Sequence, residues 1–162
     1  LAVGGFDPEL RQSEDRDLGI RLELAGCAIV WAREVVSIHC SDHTKISNWL
    51  RRACRYGMWD HRIASKYPEV ATVHPWRFWR LIHPLSRPIV SVSLVWPLAG
   101  RGLARLCAWT GRAADACRLE SLAMVCTAFA YALAYFAGLR TSCGSRAALR
   151  EEARLVDSRL GS

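Results

Sequence analysis

The sequence predicts a short α/β segment followed by a longer, mostly α-helical tail, so that helix predominates over the whole chain. Three observations carry this expectation. An acid-rich helix start after Ser13 is followed by two short β-branched runs, 27–31 and 35–38. From Lys45 onward apolar residues recur at helical rather than alternating spacing. Finally, 121–139 carries no charged residue, which is just long enough for a helix to span a hydrocarbon core. With 162 residues, 51% of them hydrophobic, the chain has enough apolar surface for a core and does not have the composition of a disordered protein.

The elements follow in order. Gly4-Gly5-Phe6-Asp7-Pro8 reads as a loop, with Asp7-Pro8 a turn signal. Ser13 is placed to N-cap a helix over 14–25, with Glu14, Asp15 and Asp17 in the first turn at the positive end of the helix dipole and Gly26 placed to end it in a left-handed conformation. The runs 27–31 and 35–38, separated by Arg33-Glu34, read as two strands, with His39 closing the second. Ile46, Trp49, Leu50, Ala53, Tyr56 and Gly57 define one face of a long amphipathic helix over 45–66, stopped by Tyr67-Pro68. Pro75, Pro84, Pro88 and Pro97 then require helices that are short, kinked or begun at the proline. Beyond the uncharged 121–139, an amphipathic surface helix is expected over 145–160. The expected domains are 1–68, 69–142 and 143–162.

The net charge is +7, and no acid occurs between Glu69 and Asp115, where Arg77, Arg80, Arg87, Arg101, Arg105 and Arg112 alternate with Trp76, Phe78, Trp79, Trp96 and Trp109. Indole rings at head-group depth and guanidinium groups on phosphate fit an anionic membrane surface. Nucleic acid is not the expected partner, because the segment is strongly apolar and carries no recognisable nucleic-acid-binding motif. A solvated cationic face and, for 121–139, a buried helix of a soluble bundle are the plainer alternatives. The seven cysteines are odd in number and include no Cys-x-x-Cys pair, which argues against a disulfide framework and for a reducing compartment.

Gly4-Gly5-Phe6-Asp7 followed by Glu14-Asp15 and by Asp17-Leu18-Gly19-Ile20-Arg21-Leu22 resembles the acceptor side of family 2 glycosyltransferases, over roughly residues 3–57. The resemblance implies the C-terminal part of a GT-A nucleotide-diphospho-sugar transferase domain. It also implies transfer of a sugar, with inversion, from a nucleotide-sugar donor to a glycan or lipid acceptor in cell-envelope synthesis. Such transfer needs a base for the acceptor hydroxyl, and the resemblance gives that role to Asp15, with Gly5, Phe6, Asp7 and Glu14 binding acceptor. Arg52-Ala53-Cys54-Arg55-Tyr56 resembles the Gln/Arg-x-x-Arg-Trp motif of processive members, with Tyr for Trp, and implies contact of Arg52, Arg55 and Tyr56 with the donor pyrophosphate or the acceptor. His39, at a Val-x-His-like strand end, is the implied ligand of a divalent metal, Mn or Mg.

Family members bind the donor with a preceding nucleotide-binding sheet and an Asp-x-Asp motif. Asp15-Arg16-Asp17 falls inside the base motif, so the donor half is expected before Leu1, and the chain alone is expected to be inactive. The expected location is the cell membrane, with the catalytic part on its cytoplasmic side. Read without the resemblance, three acids after a serine are an ordinary helix start, Asp7 is an ordinary turn residue, and His39 and the arginines are structural or solvated. The chain would then be a non-enzymatic helical membrane anchor or scaffold. A zinc site at His39, Cys40, Asp42 and His43 lacks a second, distant ligand pair.

Overall fold

The computed structural model describes residues 3–36, 45–70 and 74–160, with side chains as far as 154. Among these residues the chain is all α: seven α-helices, one 3-10 turn and no strand. Contacts divide it into two units, Leu1–Thr44 and Lys45–Ser162.

Among its described residues the first unit contains one helix, α1 (Glu14–Leu24). Gly4 and Gly5 both take positive φ, 79° and 76°, which turns the chain in a way side chains beyond glycine disfavour. Ser13 is the N-cap residue, but not by the expected mechanism. It adopts φ 63° and makes no side-chain capping bond; its backbone carbonyl accepts the Asp17 N–H at 3.0 Å instead. The C-terminus closes as expected. Gly26 (φ 79°) sends its N–H to the Glu23 carbonyl, and Cys27 sends its own to Leu22, the paired bonds of a Schellman motif.

The expected α/β character is corrected here. Residues 27–36 form no strand, and Ile29, Val30, Trp31, Val35 and Val36 are exposed. β-Branched residues favour extended backbone, but a strand persists only where a neighbour satisfies its N–H and C=O groups. No described residue pairs with this run. Residues 37 and 38 of the second expected strand lie outside the described residues.

The second unit holds α2 (Ile46–Lys66), α3 (Trp76–Leu81), a 3-10 turn (Pro84–Ser86), α4 (Arg87–Val95), α5 (Pro97–Ala116), α6 (Glu120–Ser142) and α7 (Arg146–Leu160). The prolines act as helix starters: Pro75 is the N-cap of α3, Pro88 lies in the first turn of α4, and Pro97 opens α5. Each sits where a missing N–H costs no helical bond.

Helix α6 is the hub, packed against α2, α4 and α5. Its crossing with α2 is built on small residues, Ala53 and Gly57 facing Ala134 and Gly138. A Cβ on Gly57 would lie 2.0 Å from the Tyr135 carbonyl oxygen, and one on Gly138 only 1.8 Å from that of Cys54. The two backbones therefore touch, the close approach that small residues four apart permit. Against α5 the same role falls to Ala104, Ala108 and Gly111, with Gly111 beside Cys126 and Thr127. Gly100 of α5 meets Ser93 of α4 in the same way.

Around this frame Trp76, Phe78, Trp79, Tyr131, Tyr135 and Phe136 form a continuous aromatic cluster; the Phe78 and Phe136 rings stack at 5.6 Å and Trp79 meets Phe136 edge-on at 5.3 Å. Helix α6 itself is divided. Ala130 and the stretch from Ala132 to Leu139 are buried, whereas Leu122, Met124 and Val125 in its first turns are exposed. Other exposed apolar side chains are Trp96, Leu98, Leu106 and Trp109, at the start of α5 and along it, and Leu119 just before α6. By length and composition α6 is long and apolar enough to cross a membrane, although 56% of its most apolar window is buried.

Candidate functional site

The first unit is organised around one guanidinium. Arg21 stands one turn after Asp17 on α1, and its Nε donates to Asp17 Oδ2 at 2.8 Å. Its two terminal nitrogens reach back across the loop, one to the Val3 carbonyl and the other to the Gly5 carbonyl at 2.6 Å. Asp17 is fully buried, while the Arg21 side chain is 22% exposed. A planar fork with five donors suits this arrangement, since one group satisfies a buried carboxylate and two loop carbonyls at once. The Gly-Gly turn lets the Val3 and Gly5 carbonyls converge on it.

This clasp fixes the loop to α1 and leaves the helix tip open. Glu14 and Asp15 are exposed, and the Asp15 carboxylate accepts the neighbouring Arg16 N–H at 2.8 Å. The Phe6 ring is 62% exposed. Asp7 closes an Asx turn, accepting the Glu9 N–H at 3.0 Å. Of the residues singled out in the sequence, Gly5 is thus tied to α1 through Arg21, with Phe6 and Asp7 following it on the same loop. His39 lies outside the described residues.

The other three expected site residues belong to the second unit. Arg52 and Tyr56 touch: Arg52 Nε donates to the Tyr56 hydroxyl at 2.7 Å, and its guanidinium lies 5.2 Å from the ring centroid. Arg55 is exposed. One turn further along α2, Asp60 accepts a hydrogen bond from the Tyr135 hydroxyl at 2.7 Å. Trp49 packs on Tyr131 at 5.3 Å, and Trp59 receives the Arg62 guanidinium over its ring at 4.5 Å.

A third grouping was not legible in the sequence. His61 of α2, Cys143 just after α6 and Glu152 of α7 bring one ligand-type atom each within 4.8 Å of one another. His61 Nε2 lies 2.9 Å from Glu152 Oε1, His61 Nδ1 lies 2.9 Å from Ser142 Oγ, and the Cys143 thiol approaches Glu152 Oε2 at 3.7 Å. Burial, followed by the adjoining Glu152 carboxylate, pushes the Cys143 thiol up from the ordinary 9.0 to about 12. A thiol held protonated at neutral pH is a poor nucleophile.

Arg21 was also missed as a site residue, although an acid and a base four apart on a helix is a readable signal. His61, Cys143 and Glu152 offered no such signal, because they come from three separate helical segments. Comparison with protein-family models, curated proteins and solved structures gives no match.

Proposed function

We propose that the chain is the acceptor side of an inverting, membrane-associated glycosyltransferase resembling family 2, acting on a nucleotide-sugar donor and a glycan or lipid acceptor. The observation that carries this reading is the Arg21 clasp. The Asp17–Arg21 pair ties the Gly4-Gly5 turn to α1, so both motifs of the resemblance become parts of one small construction with an open carboxylate tip. An acceptor hydroxyl must reach a carboxylate from solvent, and Asp15 meets that requirement. Asp15 takes the acceptor proton as the hydroxyl oxygen attacks the anomeric carbon; Glu14 and the exposed Phe6 ring hold the acceptor. The nucleotide leaves from the opposite face of the sugar, held by a donor-binding part outside residues 1–162.

The described residues of the first unit hold no grouping of three metal-ligating side chains, and His61, Cys143 and Glu152 include a thiol ill suited to Mn or Mg. No step here is therefore routed through a metal. The exposed Trp96, Leu98, Leu106, Trp109, Leu122, Met124 and Val125, with Arg105 and Arg112 alongside, support a membrane surface as the setting. The catalytic part is assigned to the cytoplasmic side.

That same apolar surface favours a second reading, a non-enzymatic membrane anchor. The coding sequence upstream of Leu1 distinguishes the two, since a strand-rich nucleotide-binding half with an Asp-x-Asp motif supports the enzyme and its absence the anchor. Titration of the 162-residue chain with UDP, GDP and dTDP sugars plus manganese is expected to show no micromolar binding; such binding would overturn the assignment of the donor site to another part of the protein.

A further inference from the structure

We infer that His61, Cys143 and Glu152 form a binding site for a thiophilic divalent cation, Zn2+ being the best fit, which fastens α7 to α2 and α6. The three side chains come from parts of the chain that only the fold brings together, and their ligand atoms lie within 4.8 Å of one another. Tetrahedral zinc, with bonds of about 2.0 Å to N and O and about 2.3 Å to S, places its ligands roughly 3.3–3.6 Å apart. His61 Nε2 lies 2.9 Å from Glu152 Oε1, Cys143 Sγ lies 3.7 Å from Glu152 Oε2, and one ligand atom of each residue falls within 4.8 Å of the others, so shifts of the three side chains by about 1 Å bring them to these separations.

The surroundings match a ligating histidine. His61 presents Nε2 to the site while Nδ1 is held by Ser142 Oγ at 2.9 Å, the supporting contact that fixes ring orientation around bound metals. A mixed N, S, O set selects zinc or cobalt over magnesium and calcium, which take oxygen ligands. Three protein ligands leave the fourth position to water. His61 is 12% exposed and Glu152 29%, which gives the ion and that water a path from solvent. Binding expels the thiol proton to solvent and transfers no electrons. In the metal-free protein Glu152 pairs with His61 instead, so the cluster is folded in both states.

The test is a Co2+ titration of the reduced, chelator-treated 162-residue chain, read by absorption, with Zn2+ competition and thermal unfolding alongside. One equivalent of Co2+ is expected to produce a thiolate-to-cobalt charge-transfer band with the visible bands of tetrahedral cobalt. Zn2+ is expected to abolish both and raise the unfolding midpoint. Cys143→Ser should remove the charge-transfer band, and Ser142→Ala, which keeps all three ligands, should weaken binding by about tenfold. Cys117→Ser, at an exposed thiol outside the cluster, should leave the band unchanged. Absence of the band in the wild-type chain, or its survival in a helical Cys143→Ser variant, would overturn the site.

Discussion

In Leu1–Thr44, Ile20 is the only hydrophobic side chain buried among the described residues, and it shares the interior with Asp17 and Ser13. In Lys45–Ser162, Ile63, Val90, Leu133, Phe136 and Leu139 are all fully buried, and helices touch backbone to backbone at Gly57 and Gly138. The first unit is organised by one charged, hydrogen-bonded clasp and the second by packing. A clasp positions a few groups while leaving neighbours open to solvent, as the proposed acceptor site requires. Close packing has no such freedom, and its apolar exterior suits it to support or anchoring.

The largest effect is expected at the α2–α6 crossing. Gly138→Val is expected to prevent α2 from docking on α6, because the new side chain starts 1.8 Å from a main-chain oxygen that cannot move without separating the helices. The cost should reach or exceed the ~3 kcal/mol at the top of ordinary overpacking. Denaturant unfolding followed by circular dichroism checks this, with Gly102→Ala as control. Gly102 has nothing within 4 Å of its would-be Cβ, and alanine there should stabilise by roughly 0.5–1 kcal/mol.

Next in size is the clasp. Arg21→Ala removes the guanidinium from the fully buried Asp17 carboxylate and releases the Val3 and Gly5 carbonyls, at a cost of about 1–3 kcal/mol. Hydrogen exchange should show lost protection in α1 while α5 and α6 keep theirs. Equal loss in both units would contradict the division between them.

A smaller effect tests burial in the second unit. The Cys143 thiol is raised from 9.0 to about 12, so the folded state holds a proton that the unfolded state releases above pH 9. Stability from this group is therefore fully present below pH 9 and is lost as pH rises toward 12. Unfolding midpoints of reduced, metal-free protein should fall more steeply over that window in the wild type than in Cys143→Ser. Smallest is Arg118→Gly. Arg118 closes α5 at φ 58°, with its N–H on Asp115 and that of Leu119 on Ala114, a left-handed position glycine occupies without strain. The substitution should add about 1 kcal/mol to thermal stability.

Much of the helical architecture was legible because its signals are local. Apolar spacing and Tyr67-Pro68 delimit α2 within a residue, the prolines mark the starts of α3, α4 and α5, and the uncharged 121–139 lies inside α6. The two strands were misread because Ile29, Val30, Val35 and Val36 express a propensity that only a pairing partner converts into structure. At the candidate site, the residue types of the Gly-Gly loop and the Glu-Asp tip were visible, but the part played by Arg21 was not. Its guanidinium reaches Gly5, sixteen residues back, and that reach depends on the fold of the loop. The His61 cluster depends wholly on helix placement, with partners 81 and 91 residues apart in sequence.

In the proposed function, the clasp presents Asp15 as the general base of sugar transfer. The most direct test is transfer from a nucleotide sugar by the native protein in membranes, with any chain that precedes Leu1, comparing wild type with Asp15→Asn. A rate loss of at least about a hundredfold is expected, with hydrogen exchange in α1 and thermal unfolding unchanged. Transfer at the wild-type rate by a folded Asp15→Asn protein would contradict it.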